Sequence, residues 1–398
     1  MDRTLHALFA LLRAGLWGRG DEAVASAFPL TAREWERVYE MACQQTVAGI
    51  AFRGLDWLPD GAEPPMGLMA KWMARVDRIE RGNEAMNKAV ARLYGHFSAH
   101  GIEAVLQKGQ GIAMMYPDPL LRESGDIDLY FPGHDGISDP LEGIAGAVRE
   151  RHPDGSWVYN LGGIVVEHHE ELLDIQRPRC MKYAEKLIAE KGYEKVALGN
   201  GTEVTVPAPE VNLLLLSSHI LKHAMGVGIG LRQICDYAVA RRHYEGRVNE
   251  EEIREIWKMT GLEKWQGLLE GFVETFLEER SFADAQDDKT DVLDDKTDVL
   301  DDKKDTQDDK CHSEHYPCHS ERSEESLDKK KTDVLLDIVL KGGNFGVYSK
   351  DRAEASRARR SRKCHTFRSF VNNMGFALRY APGEWILTTL QLLRGQVR

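Results

Sequence analysis

The sequence predicts an α+β fold: a small mixed β-sheet core flanked by N-terminal and C-terminal helical regions. Three observations lead there. Apolar residues recur at three- and four-residue spacing through the first hundred residues. Short alternating runs then interrupt that pattern between residues 102 and 168. From Pro209 onward the helical spacing returns. At 398 residues the chain has room for two or three domains.

The elements follow in order. Residues 3–16 and 32–55 read as helices, the second opened by Thr31 as N-cap with Glu34 three positions on, a capping-box pattern. Residues 66–99 form a long amphipathic stretch in which Met69, Trp72, Met73, Val76 and Ile79 share a face, as core side chains do. Residues 102–106 are a short β-type run and 109–116 a helix, while 126–131 and 164–168 alternate as strands. Helix then dominates to Phe276 and covers 365–395. The expected division is 1–99 helical, 100–206 α/β core, 207–282 helical, 283–331 an insertion, and 332–398 helical.

The insertion stands apart by composition. DDKTDVL occupies 287–293 and again 294–300, followed by DDKKDTQ at 301–307, and CHSE occurs at 311–314 and 318–321. Seven-residue units this polar have no face to bury, and the few apolar side chains cannot offset the entropy of ordering them. A disordered insertion is expected. Cys311, His312, His315, Cys318 and His319 match no common zinc spacing, and the repeat itself explains them. Of the net charge of −12, eight units fall between Asp284 and Lys331, where 17 acidic residues meet 9 basic ones. The acidity therefore says little about partners of the remaining chain.

Six scattered cysteines (Cys43, Cys180, Cys235, Cys311, Cys318, Cys364) show no disulfide framework, and the N-terminal apolar stretch lacks a basic flank and cleavage site. No run of about 18 apolar residues suggests a membrane span. A cytoplasmic location is expected.

The chemistry concentrates in Gly125-Asp126-Ile127-Asp128-Leu129. On a strand, Asp126 and Asp128 share one face while Ile127 and Leu129 take the other. Two like charges so placed repel unless a cation sits between them, and Mg²⁺ (or Mn²⁺) suits carboxylates shared with phosphate oxygens. Taken alone, the pair reads equally well as two solvated aspartates. Upstream, Lys108, Gly109 and Gln110 join a strand end to a helix start, where backbone N–H groups and one ammonium could hold phosphate. Glu167 is the favoured third carboxylate, over Glu170 and Glu171 at the end of the strand pattern. His219 and His223 lie four apart on one helix, and Arg232 and Asp236 repeat that spacing and could pair with each other. His223 and Arg232 are candidates to line the cleft, with packing between helices as the alternative. The glycine-rich turn at 342–346 and the basic cluster of Arg357, Arg359, Arg360, Arg362 and Lys363 are compatible with ligand contact or with a helix cap and a solvated face.

Together these residues resemble the polymerase-beta-like nucleotidyltransferase superfamily, most closely its bacterial branch of uncharacterised nucleotidyltransferases. The likeness rests on Lys108-Gly109, Tyr116-Pro117-Asp118-Pro119, Arg122 and the Gly125–Leu129 motif, and extends to His219, His223, the segment 230–236 and the turn 342–346. It implies a nucleotidyltransferase core in which Asp126 and Asp128 hold metal and the region after Lys108 holds triphosphate. Glu167, from the strand pattern, would join the two aspartates in metal binding and catalysis. Lys108, Gly109, Gln110, Arg122, His223 and Arg232 would contact a nucleoside triphosphate such as ATP. Where the superfamily carries Gly-Ser or Gly-Gly after the first strand, this chain has Lys108-Gly109-Gln110. The expected activity is nucleotidyl transfer to an acceptor that is a small molecule, sugar, protein or RNA. A non-catalytic nucleotide-binding or regulatory module and a metal-dependent phosphoester hydrolase are the alternatives.

Overall fold

Four helices open the chain in a computed structural model that describes residues 2–20, 22–133, 144, 147–151, 157–226, 228–278, 332–341 and 370–393. They are α1 (Arg3–Trp17), α2 (Glu22–Ala27), α3 (Ala32–Gln44) and α4 (Ala48–Arg53). The expected capping box forms: the Thr31 hydroxyl accepts from the Glu34 N–H, and the Glu34 carboxylate accepts from the Thr31 N–H. The single helix expected over 32–55 is instead two. Thr46 adopts φ 53°, which no helix interior tolerates. Tertiary bonds hold the break in place: Gln45 Oε1 accepts from the Leu231 N–H and Nε2 donates to the Val339 carbonyl.

The next helix, α5 (Met66–His100), has 35 residues and so runs about 52 Å. Its first half sends Leu68, Trp72, Val76 and Ile79 into a large core with α1–α4. Its second half sends Met86, Val90, Leu93 and Phe97 into a smaller core beneath the sheet. Two methionines of the expected face are not core: Met73 is 55% exposed, and Met69 is only half-buried. Leu68 takes their place, because the helix packs edge-on against Trp35 and Tyr39 through Trp72.

The main sheet contains β1 (Val105–Leu106), β2 (Asp126–Tyr130), β3 (Ala147–Arg151), β4 (Trp157–Leu161) and β5 (Ile164–His169), in the spatial order β1-β2-β5-β4-β3. β2 and β5 run parallel and the other pairs antiparallel, so the sheet is mixed. A separate hairpin pairs β6 (Tyr193–Ala197) with β7 (Glu203–Pro207). This is more strand than the two or three runs expected. The β4–β5 turn is Gly162-Gly163 with φ 64° and 95°, the left-handed geometry a two-residue hairpin requires.

Between the strands lie α6 (Gln110–Ala113), four residues long and shorter than expected, and α7 (Pro178–Lys191). The helices α8 (Pro209–Met225), α9 (Leu231–His243), α10 (Glu250–Thr260) and α11 (Glu263–Phe276) follow. Helix also covers 332–341, Met374–Tyr380 and Pro382–Leu393. The first and second helical regions share one core: Phe9 stacks on Phe276 with ring centres 4.9 Å apart, and Arg13 donates to the Phe276 carbonyl. No helix among the described residues is long and apolar enough to cross a membrane. The repetitive insertion, its Cys and His residues, the turn at 342–346 and the basic cluster at 357–363 lie outside the described residues.

Candidate active site

The strand period places the acidic side chains as expected. Ile127 and Leu129 are buried beneath the sheet, which turns Asp126 and Asp128 to the other face. On β5, Val166 and His168 are buried in turn, and Glu167 and His169 share the face of the aspartates. Because β2 and β5 are parallel with Asp128 opposite Glu167, the two carboxylates stand side by side. His169 Nε2 lies 2.7 Å from Asp128 Oδ1 and 3.7 Å from Glu167 Oε2. One donor atom from each of Asp128, Glu167 and His169 falls within 4.8 Å of the others.

These side chains form one wall of a cavity of about 280 Å³. Lys108 and Gly109 supply the rim from the β1–α6 turn, and α8 and α9 close the opposite wall. Lys108 Nζ stands 3.5 Å from Asp128 Oδ1 and 3.5 Å from His219 Nδ1. Gly109 has φ 61° and ψ −119°, open to glycine and strained for any L side chain. Gln110 does not line the cavity: its Nε2 donates to Asn83 Oδ1 on α5. With only four residues in α6, the aligned peptide dipoles that a long helix start would offer phosphate are largely missing.

On α8, the His219 and His223 rings meet at 4.5 Å. His219 Nδ1 is 3.1 Å from Asp174 Oδ2, and Lys222 donates to Asp174 Oδ1 at 2.6 Å. On α9 the expected Arg232–Asp236 pairing gives way to another. Asp236 accepts two bonds from Arg122, at 2.9 and 2.6 Å, and one from the Tyr116 hydroxyl. A guanidinium fork matches a carboxylate bidentately, and Arg122 spends its remaining Nη1 on the Ser124 hydroxyl. Arg122 therefore lines the cavity as a buried strut, and its nitrogens are already engaged. Arg232 is the opposite case. It is 7% exposed, donates Nη1 to the Glu123 carbonyl, and leaves Nε buried without a hydrogen-bond partner beside the cavity.

The electrostatics divide the pair of aspartates. Burial, then the charge of Asp128, pushes the Asp126 carboxyl up to about 6. Asp128 is more buried still, but Lys108 and the contact with His169 outweigh that burial and hold it well below the usual carboxylate range. Burial, then the Lys108 charge, lowers His219 to about 4, against the pull of Asp174. Burial and the His219 charge keep His223 well below the ordinary histidine value. Burial and the nearby Arg122 lower Arg232.

Of the residues the sequence singles out, Lys108, Gly109, Arg122, Asp126, Asp128, Glu167, His223 and Arg232 converge on this cavity, and Gln110 does not. No sequence signal points to Asp174, which meets His219 from 45 residues away, or to Lys222, which donates to the same Asp174 carboxylate. The two-residue offset of His169 from Glu167 is a strand signal for a shared face, and the sequence gives it a part only in the hydrolase alternative, beside Asp126, Asp128 and Glu167.

The donor set suits a divalent cation: two carboxylates and an imidazole on one face, with Asp126 adding an under-compensated carboxylate beside them. Lys108, beside Asp128, and Arg232 add positive charge to the lining of the same cavity. One family profile, described as uncharacterised nucleotidyltransferase, matches residues 31–277, more than half of the chain. That span runs from the N-cap of α3 to the residue after α11, and so includes the sheet and every wall of the cavity. Comparison with curated proteins and with solved structures finds no match. The chain belongs to the uncharacterised nucleotidyltransferase family, an α+β fold that carries its carboxylates on two parallel neighbouring strands.

Proposed function

We propose that this chain moves a nucleoside monophosphate from a nucleoside triphosphate to an acceptor nucleophile, with Mg²⁺ or Mn²⁺ held by Asp126, Asp128 and Glu167. One observation carries the reading: a single cavity sets the carboxylate face of β2 and β5 against Arg232, a buried cation with an unsatisfied Nε. The guanidinium that lines the cavity is a positive charge opposite the carboxylates, matched to the oxygens of a polyphosphate.

The cavity volume of about 280 Å³ falls just below the usual range for ligand sites, roughly 300–1,000 Å³. That size favours the polyphosphate inside and the nucleoside toward the mouth. When bound, the cation supplies charge neutralisation and polarisation at the phosphorus under attack. Lys108 and Arg232 draw the β- and γ-phosphates to their side, and Gly109 brings the backbone close to them without a side chain in the way. The acceptor oxygen forms its bond to the α-phosphorus as the α–β bridging P–O bond breaks, and pyrophosphate leaves with that electron pair. Glu167, whose side chain is 35% exposed, takes the proton of the acceptor.

A second reading, nucleotide binding without turnover, is favoured by one feature. Lys108 and His169 both stand against Asp128, so its charge has partners within the protein itself. Incubating the full chain with each nucleoside triphosphate and Mg²⁺ or Mn²⁺, then measuring pyrophosphate and the mass of protein and co-purified molecules, separates the two. Pyrophosphate with a nucleotidylated product supports transfer. Triphosphate binding without pyrophosphate supports the second reading and overturns the first.

A further inference from the structure

The carboxylate face includes one donor that an all-oxygen metal site does not require. His169 follows Glu167 by two positions on β5, so both project from the same face. Its neighbour His168 takes the other face, where it packs edge-on against Phe131 with ring centres 4.8 Å apart. The two adjacent histidines thus have different uses: one fills the core, and the other turns its Nε2 toward the carboxylates.

The spacing of that nitrogen is informative. Two neighbouring ligands of a six-coordinate ion held at about 2.1 Å lie about 3.0 Å apart, and opposite ligands about 4.2 Å. His169 Nε2 is 2.7 Å from Asp128 Oδ1 and 3.7 Å from Glu167 Oε2, distances that bracket the neighbouring-ligand value. Small side-chain rotations bring all three onto one coordination sphere.

Donor chemistry then discriminates between ions. Mg²⁺ prefers oxygen and gives up water reluctantly. Imidazole suits transition-metal ions, while carboxylate and water oxygens suit Mn²⁺ as they do Mg²⁺. Of these two ions, Mn²⁺ is the transition metal and the better match to a mixed nitrogen and oxygen set. We propose that His169 is a metal ligand and that its nitrogen makes the site select Mn²⁺ over Mg²⁺. The inference rests on the metal-dependent reading above and narrows it to an ion. It also gives Lys108 a defined response. The ammonium shares Asp128 Oδ1 with His169, so an arriving cation displaces it toward the polyphosphate.

The test uses the full-length protein with Mn²⁺ alone and with Mn²⁺ plus tripolyphosphate, which contains no nitrogen. Pulsed electron paramagnetic resonance reads directly coupled ¹⁴N, and titration with competing Mg²⁺ reads preference. The wild type should bind Mn²⁺ with a ¹⁴N coupling typical of imidazole. His169→Gln should lose that coupling and weaken Mn²⁺ by at least about tenfold, the loss that even an outer partner of a ligand causes, while Mg²⁺ changes little. The wild-type coupling stands as evidence even if the variant folds poorly. Mn²⁺ bound without ¹⁴N coupling, or equal weakening of both ions by His169→Gln, overturns the role of His169 and leaves a carboxylate metal site intact. Failure of the wild type to bind either ion, with and without tripolyphosphate, overturns the metal-dependent reading as well.

Discussion

Asp126 and Asp128 stand two residues apart on one strand in opposite circumstances. Asp128 is compensated by Lys108 and His169, whereas burial and Asp128 together resist ionisation of Asp126. Asp128→Asn leaves Lys108, 12% exposed, facing a neutral amide, and should destabilise the metal-free protein by about 3 kcal/mol. Asp126→Asn removes a repulsion and should leave the denaturation midpoint unchanged or raised. Equal losses in the two variants, measured by chemical denaturation, would contradict this asymmetry. His219 offers a second test. Its folded value of about 4 lies below the ordinary 6.5, so the unfolded chain takes that proton first. The stability linked to neutral His219 is full above about 6.5 and is lost as pH falls toward 4. The wild type should therefore lose more stability between about pH 7 and pH 5 than His219→Gln does. Parallel pH curves for the two proteins would refute the assignment. The carboxylate motif was legible because alternation alone orients it, and Glu167 because it sits mid-strand. Asp174 and the Arg122–Asp236 pair were not, since each meets its partner only through tertiary packing.

Elements were legible where their period was long and regular. The capping box at Thr31 and the length of α5 follow from local rules, and β2 and β5 from alternation. Edge strands were harder. Ala147–Arg151 is mostly charged and owes its conformation to pairing with β4 rather than to propensity. The β6–β7 hairpin turns at Asn200-Gly201, a dipeptide that signals such turns. Helix contacts depend on glycines that no pattern identifies. A Cβ on Gly49 would lie 2.2 Å from the Leu121 carbonyl oxygen, whereas one on Gly82 in α5 meets nothing within 4 Å. Gly49→Ala should thus destabilise by about 1–3 kcal/mol, as overpacking does. Gly82→Ala should stabilise by about 0.5–1 kcal/mol, the entropic difference in a helix interior. Thermal melts of both variants check this, and a stabilised Gly49→Ala would refute the close approach of α4 to Leu121.

At the scale of the molecule, α5 joins two cores, and the cavity lies on the face of the sheet away from the smaller one. That arrangement depends on contacts between distant segments, which composition and periodicity do not encode. The helix over 332–341 starts beside α11: a Cβ on Gly271 would lie 3.6 Å from Thr332 Cγ2. Seven residues separate Gly271 from Glu278 along the chain, about 10 Å of helix rise, and four linking residues reach about 13 Å. Deleting 283–331 should therefore leave the melting temperature and triphosphate binding unchanged. A deletion variant that fails to fold would show that the repetitive segment is part of the fold. The central claim is that carboxylates and cations in this cavity hold a metal–triphosphate together, and calorimetric titration of a non-hydrolysable nucleoside triphosphate tests it most directly. Binding should require a divalent cation, disappear on chelation, and fall sharply in Asp126→Asn. Affinity that is undiminished by chelator and by Asp126→Asn would contradict the account.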